Sequence, residues 1–191
     1  MHFMKKAKKG GFTLIELLVV VAIIGILAAV VLSSVGATRA KARDTARTQA
    51  VHQLQVALEL YRNSTGSYPD SSACGATIPS NAWCNSVESL TGTHWIRDKG
   101  VQAVLAPYIP IEPKDPLQGA TTNWTPLNGG TIYYYSTGAK AGGGKAYEIV
   151  YGLENTASPI QNQNGVRMCD GSIDNWGTGN NGIITVGANC L

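Results

Sequence analysis

One carboxylate stands in the most apolar stretch of this chain. Glu16 is the only charged residue between Phe12 and Leu32, in FTLIELLVVVAIIGILAAVVL. An ionised carboxylate inside an apolar helix is costly in hydrocarbon, so such groups are usually paired or functional. The bland alternative is that Glu16 reaches back to the lipid headgroups from near the start of the segment. A helix N-terminus favours a nearby anion, and a freed α-amine would be a stronger partner.

Other residue groups with chemical potential read more weakly. Gly142-Gly-Gly-Lys145 is a fragment of a phosphate loop. It fails because position 139 is Ala and Ala146 follows the lysine where Ser or Thr is needed. It reads as a hairpin turn. Asp170 and Asp174, in DGSID, could offer oxygens to calcium but lack a full ligand loop, and a solvated turn is the ordinary reading. His2, His52 and His94 are scattered and no C-x-x-C occurs, which argues against zinc. No G-x-S-x-G nucleophile elbow is present. The chain is not expected to be an enzyme, and calcium is the one cofactor left open.

The elements that position Glu16 come from length and charge. The 191 residues carry a formal charge of +3, unevenly distributed. Residues 1–11 contribute +4 from four lysines, residues 12–63 contribute +2, and residues 64–191 contribute −3. Phe12 to Leu32 is about 32 Å of helix, enough to cross a ~30 Å hydrocarbon core. A cleaved secretory signal has a shorter apolar region, and no small-residue cleavage site clearly ends this one. A plain signal anchor is the simpler alternative. Four lysines precede the span, while Arg39, Lys41, Arg43 and Arg47 follow it, so the positive-inside rule is nearly tied.

The helix is expected to continue to about Asn63. Ala42, Ala46, Ala50, Leu54, Ala57 and Tyr61 recur at helical spacing as an apolar stripe. Arg39, Arg43 and Arg47 recur every four residues on a different face, either solvated or meeting acidic surfaces of adjacent heads or lipid phosphates. Gly66 and Pro69 end the helix. Residues 12–62 in one helix would be about 77 Å long, so the upper half needs a cover.

The remaining residues are rich in Gly, Asn, Ser, Thr and Tyr and hold all four cysteines. Residues 131–136 and 146–151 read as strands of an antiparallel hairpin around a Gly-rich loop. Val166–Cys169 and Ile183–Val186 are shorter strand candidates, and a short helix is expected within Asp98–Ile109. A small antiparallel sheet laid on Ala50–Tyr61 would bury the stripe, giving an α+β fold. This head has a charge of −3 and no basic run, so nucleic-acid binding is not expected. Trp83, Trp95, Trp124 and Trp176 could stack bases, but buried anchoring aromatics are commoner.

Lys-rich leader, Gly10-Gly11, Phe12, then Glu16 at the fifth place after the glycines: KKGGFTLIELLVVVAIIGILAAVVL resembles the leader and N-terminal helix of type IV prepilins and type II secretion pseudopilins. The resemblance covers about the first 60 residues, with weaker matches in GSYPD and YIPIEPKDPL. It implies cleavage between Gly11 and Phe12 by a membrane prepilin peptidase, which also N-methylates Phe12. It implies a leader in the cytoplasm, a single pass through the inner membrane and an exported head, ending in an extracellular pilus or a periplasmic pseudopilus. Glu16 would neutralise the Phe12 amine of a neighbouring subunit as helices pack into a filament. Partners implied are further copies of the chain, minor pilins and an assembly platform.

The expected organisation is a cleaved leader at 1–11, a long helix at 12–63 and a head at 64–191. The helix divides into a membrane and assembly segment at 12–32 and an amphipathic half at 33–63. Four cysteines in an exported head read as two disulfides with three possible connectivities. The favoured pairs are Cys74–Cys84 and Cys169–Cys190, the second resembling the C-terminal disulfide loop of many pilins. A pseudopilin is the nearest alternative to a pilus subunit, and a monomeric membrane-anchored binding domain is the alternative from another class.

Overall fold

The computed structural model describes residues 11–71, 83–86, 104–109, 113, 115–117, 132–136, 138, 140–155, 164–177 and 182–190. Cys74, Trp95, Trp124 and the start of the expected helix at 98–109 lie outside the described residues. One helix, α1 (Leu14–Thr65), precedes six strands: β1 (Cys84–Asn85), β2 (Ile132–Tyr135), β3 (Tyr147–Gly152), β4 (Val166–Arg167), β5 (Ile173–Asp174) and β6 (Ile183–Ala188). The chain divides into two compact units, Met1–Arg39 and Ala40–Leu191.

In the first unit the helix is apolar and uncovered. Phe12, Leu14, Ile15 and the large apolar residues onward to Leu32 are all exposed. By length and composition, α1 contains a stretch able to cross a membrane, and none of that stretch is buried. The helix runs through both Gly25 and Gly36.

The second unit is the α+β head. Its main sheet has the order β1-β2-β3-β6 and is antiparallel throughout. The hairpin read from the sequence is present as β2 and β3, with Tyr133 opposite Val150. β3 is central, and its other neighbour is β6, with Ile149 opposite Val186. Gly187 permits this pairing, because a Cβ there would collide with the Tyr147 carbonyl oxygen. β4 and β5 form a separate two-stranded ribbon.

Both faces of the main sheet are covered. Tyr147, Ile149 and Tyr151 pack with Val51, Leu54 and Leu58 of α1. Burying each such aliphatic side chain stabilises by about 1.5–3 kcal/mol. On the opposite face, Val150 packs with Trp83, Tyr135, Val166, Met168 and Ile183. All six residues of β3 are therefore buried, Glu148 included.

The end of α1 follows from local chemistry. Gly66 has φ 87°, a conformation that glycine adopts without the Cβ penalty, and its N–H donates to the Arg62 carbonyl at 2.7 Å. The next turn is tied to the hairpin loop, where Tyr68 N donates to Gly144 O at 2.8 Å. Tyr61 and Tyr108 meet edge to face with centroids 6.2 Å apart. This brings the helical turn at 104–108 onto the last turns of α1.

The buried helix face differs from the expected stripe. Leu54 and Ala57 of that stripe are buried, as is Leu58 beside them, but Ala42 and Ala46 are exposed, and the lower end of the buried face passes instead through Asp44, Arg47 and Val51. The spacing is helical either way. Periodicity alone assigns the face to small apolar residues, whereas here two paired ions occupy its lower end.

Candidate functional site

Gly11, Phe12 and Glu16 lie together at the start of α1, where the structure adds a feature not read from the sequence. Thr13 and Glu16 form a reciprocal cap. Glu16 Oε2 accepts from Thr13 N at 2.9 Å and from Thr13 Oγ1 at 2.8 Å, while Glu16 N donates to Thr13 Oγ1 at 3.3 Å. This is a capping box, and the T-x-x-E spacing could have revealed it. It holds the carboxylate at the positive end of the helix, beside the backbone of residues 12 and 13. Phe12 is 85% exposed. The segment thus presents an uncovered apolar helix with one oriented anion at its tip. Its possible partners are lipid and other apolar helices.

The basic residues of the stem behave differently from the sequence expectation. Arg43 and Arg47 face neither solvent alone nor a partner's surface, because the same chain supplies their acids. Arg47 is fully buried, donating from Nε to Asp115 Oδ2 at 2.7 Å and from Nη2 to Asp115 Oδ1 at 3.2 Å. Its Nη1 donates to Asp44 Oδ1 at 2.7 Å and to Glu154 Oε1 at 2.9 Å. Arg43 grips the same Glu154 carboxylate at 2.7 and 2.5 Å. Asp44 also accepts from the backbone N–H groups of Glu154 and Asn155, at 2.9 Å each. A guanidinium fork meeting carboxylates this way is strong only when every donor is used. Arg39 is exposed, in keeping with the solvated reading of this face.

The C-terminal cysteines are joined, with Cys169 and Cys190 forming a disulfide across a separation of 21 residues. Gly142 packs on this bond, since a Cβ there would lie 2.5 Å from Cys169 Sγ. Cys84 is buried, and its expected partner Cys74 lies outside the described residues. Trp83 and Trp176 meet edge to face at 5.9 Å within the layer that covers the sheet. They anchor that layer.

The calcium candidates are engaged in other ways. Asp170 Oδ1 accepts from Ser172 N at 2.9 Å and Ser172 Oγ at 2.6 Å, which lowers the Asp170 pKa. Asp174 pairs with Lys140. No group of three or more His, Cys, Asp or Glu side chains is arranged to hold a metal ion among the described residues. A cleft of about 460 Å³ between α1 and β6 is lined by His52, Gln55, Tyr151 and Thr185. Several of its polar walls are already engaged: Thr185 Oγ1 accepts from Trp176 N, and Tyr151 and Gln55 bond Thr48 and Tyr147.

A long, apolar N-terminal helix packed in its later part against a small antiparallel sheet defines the pilin-like α+β class. Comparison with known proteins agrees. Residues 6–32 match the prokaryotic N-terminal methylation motif. The chain is 34% identical over 117 residues to the type IV wide pilus major component PilA4 of Thermus thermophilus, covering 51% of this chain and 88% of that relative. It is 38% identical over 66 residues to the type II secretion system core protein G of Pseudomonas aeruginosa, and 35% identical over 66 residues to that of Aeromonas hydrophila. Each of these secretion relatives is covered over 46% of its length and covers 35% of this chain. No solved structure matches significantly. The chain belongs to the type IV pilin and type II secretion pseudopilin family.

Proposed function

We propose that this chain is a structural subunit of a type IV pilus-like filament, with no catalytic role of its own. The observation that carries the reading is the uncovered apolar helix with its single capped carboxylate. The leader at 1–11 is removed after Gly11, and Phe12 is methylated by the same peptidase. The helix holds the subunit in the inner membrane, with the N-terminus in the cytoplasm and the head exported. A disulfide between Cys169 and Cys190 supports an oxidising compartment for the head.

Glu16 then directs assembly. An unpaired ion in lipid costs several kcal/mol, and joining it to the Phe12 amine of a neighbouring subunit relieves both charges. The pair forms in one axial stagger only, so it sets register as well as affinity. The capping box supports this role by fixing where the carboxylate waits. Minor pilins and an assembly platform complete the machinery.

The test is Glu16→Ala together with the mature mass. The variant is expected to insert in the membrane and yet be absent from purified filaments, and the wild-type mature chain to begin at methylated Phe12. Normal filaments from the variant overturn the Glu16 assembly mechanism, and a mature chain beginning elsewhere overturns the prepilin reading in favour of a monomeric anchored binding domain. The secretion pseudopilin is the second reading, supported by the identity to core protein G. It predicts loss of exported enzymes, rather than of surface fibres, when the chain is deleted.

A further inference from the structure

On the sheet face turned away from α1, a glutamate is fully buried in the second layer. Glu148 is 0% exposed. Its Oε2 accepts from Trp176 Nε1 at 3.2 Å, whereas its Oε1 is buried with no hydrogen-bond partner. The Asp174 side chain of β5 reaches the Glu148 carboxyl. Asp174 Oδ2 touches Lys140 Nζ as an ion pair without hydrogen-bonding alignment. One ammonium thus faces two carboxyl groups. Two ionised carboxylates in one buried site repel strongly, and a proton between them removes one charge. The same proton gives the Glu148 carboxyl a donor to offer Asp174.

We propose that Glu148 holds a proton beside Asp174, and that this proton latches the C-terminal layer onto the sheet more tightly in acid than at neutral or alkaline pH. The layer comprises β4, β5 and the Trp176 segment. It contacts the sheet through Val166, Met168 and Trp176, and the Glu148–Asp174 link ties β5 directly to β3.

Every element around Glu148 bears on its charge. β2 contributes Tyr135, directly opposite in the pairing register. The hairpin loop contributes Lys140 and β5 contributes Asp174, while Asp170, in the turn before β5, acts on Tyr135. Arg167 of β4 is exposed, and β6 has no titratable side chain. Among the described residues, the nearby cation Lys140 is committed to Asp174. Burial first and the Asp174 charge second push the Glu148 carboxyl up to about 8.

The sign follows from linkage. When the layer lifts, Glu148 returns to the ordinary carboxylate value of 4.5. A group that binds its proton more tightly in the closed state favours closure fully below that value. The advantage is lost progressively up to about 8 and is level above it. Opening therefore rises by about tenfold per pH unit across that window.

Hydrogen exchange on the disulfide-intact full chain in detergent micelles tests this, with rates corrected for intrinsic pH dependence. Between pH 5 and pH 8, protection of residues 164–177 is expected to fall by at least about 100-fold, while β2 and the β3 residues 149–152 change far less. Glu148→Gln, which keeps an amide donor toward Asp174, is expected to flatten this dependence. A flat wild-type profile, or the same slope in Glu148→Gln, overturns the proposal. If Glu148→Gln does not fold, Asp174→Asn replaces it and is expected to move the upper limit of the window down by about one pH unit or more; an unmoved limit overturns the proposal. Carbon-13 glutamate labelling of the wild type reads the same proton directly. One glutamate carboxyl titrating above pH 7 supports the Glu148 proton, and all glutamates titrating below pH 5.5 refute it.

Discussion

Arg47 and Asp115 meet at 2.7 Å with both side chains wholly removed from solvent. The pair joins the stem of α1 to a loop residue 68 positions later in the chain. Asp44 and Glu154 complete the acid set around the same guanidinium. The cluster fixes the lower end of the head on the helix, where apolar packing gives way to charge.

Truncating Arg47 removes the buried cation that Asp115 is paired with. Arg47→Ala is expected to destabilise the fold by about 3–5 kcal/mol, whereas Arg47→Met combined with Asp115→Leu recovers most of the loss. Thermal unfolding of the full chain in detergent measures both. Equal stability of Arg47→Ala and wild type would contradict the described network.

Acid acts on the same cluster through Glu154. Its hydrogen bonds from Arg43, and then from Arg47, hold its carboxyl below the usual carboxylate range. A lowered folded value contributes stability above the unfolded value near 4.5, and that stability is lost as pH falls through the folded value. Arg43→Gln is therefore expected to raise the pH of acid unfolding, as followed by circular dichroism between pH 2 and 6. This trend opposes that of Glu148, so acid tightens the outer layer before it loosens the stem.

The Cys169–Cys190 bond closes a loop that contains β5 and β6, the latter paired to β3. With a sequence separation of 21 between its ends, loop-closure entropy assigns it about 3 kcal/mol. Replacing both cysteines by serine is expected to lower the thermal midpoint accordingly. Gly142→Ala should destabilise as well, because φ is 62° there and the new methyl would strike Cys169 Sγ.

What the sequence disclosed, and what it hid, divides by range. The apolar span, the leader, Glu16 and the β2–β3 hairpin rest on local composition and alternation. The structure has the span and the hairpin where local patterns put them. Gly66 was equally legible, since a glycine before a proline punctuates a helix. The pairing of Arg43 and the burial of Arg47 were not legible, because Asp115 and Glu154 lie far along the chain and only folding brings them in. Glu148 was hidden for a related reason. Alternation in AYEIVY separates two faces but cannot say that both are covered. β1 and β5 have two residues each, too few for any periodic signal.

The order of contacts along α1 has a mechanical consequence. Within the head unit, Arg43, Asp44 and Arg47 come first from the stem side, and Val51, Leu54 and Leu58 follow. Traction drawn along the helix from its N-terminal side meets short, directional ion pairs before it reaches the apolar seam. Those pairs resist sliding because a small displacement separates several charges at once, whereas greasy contacts can slip and re-form. The head is thus fastened at its near end by bonds with a defined geometry, and behind them by packing that yields gradually.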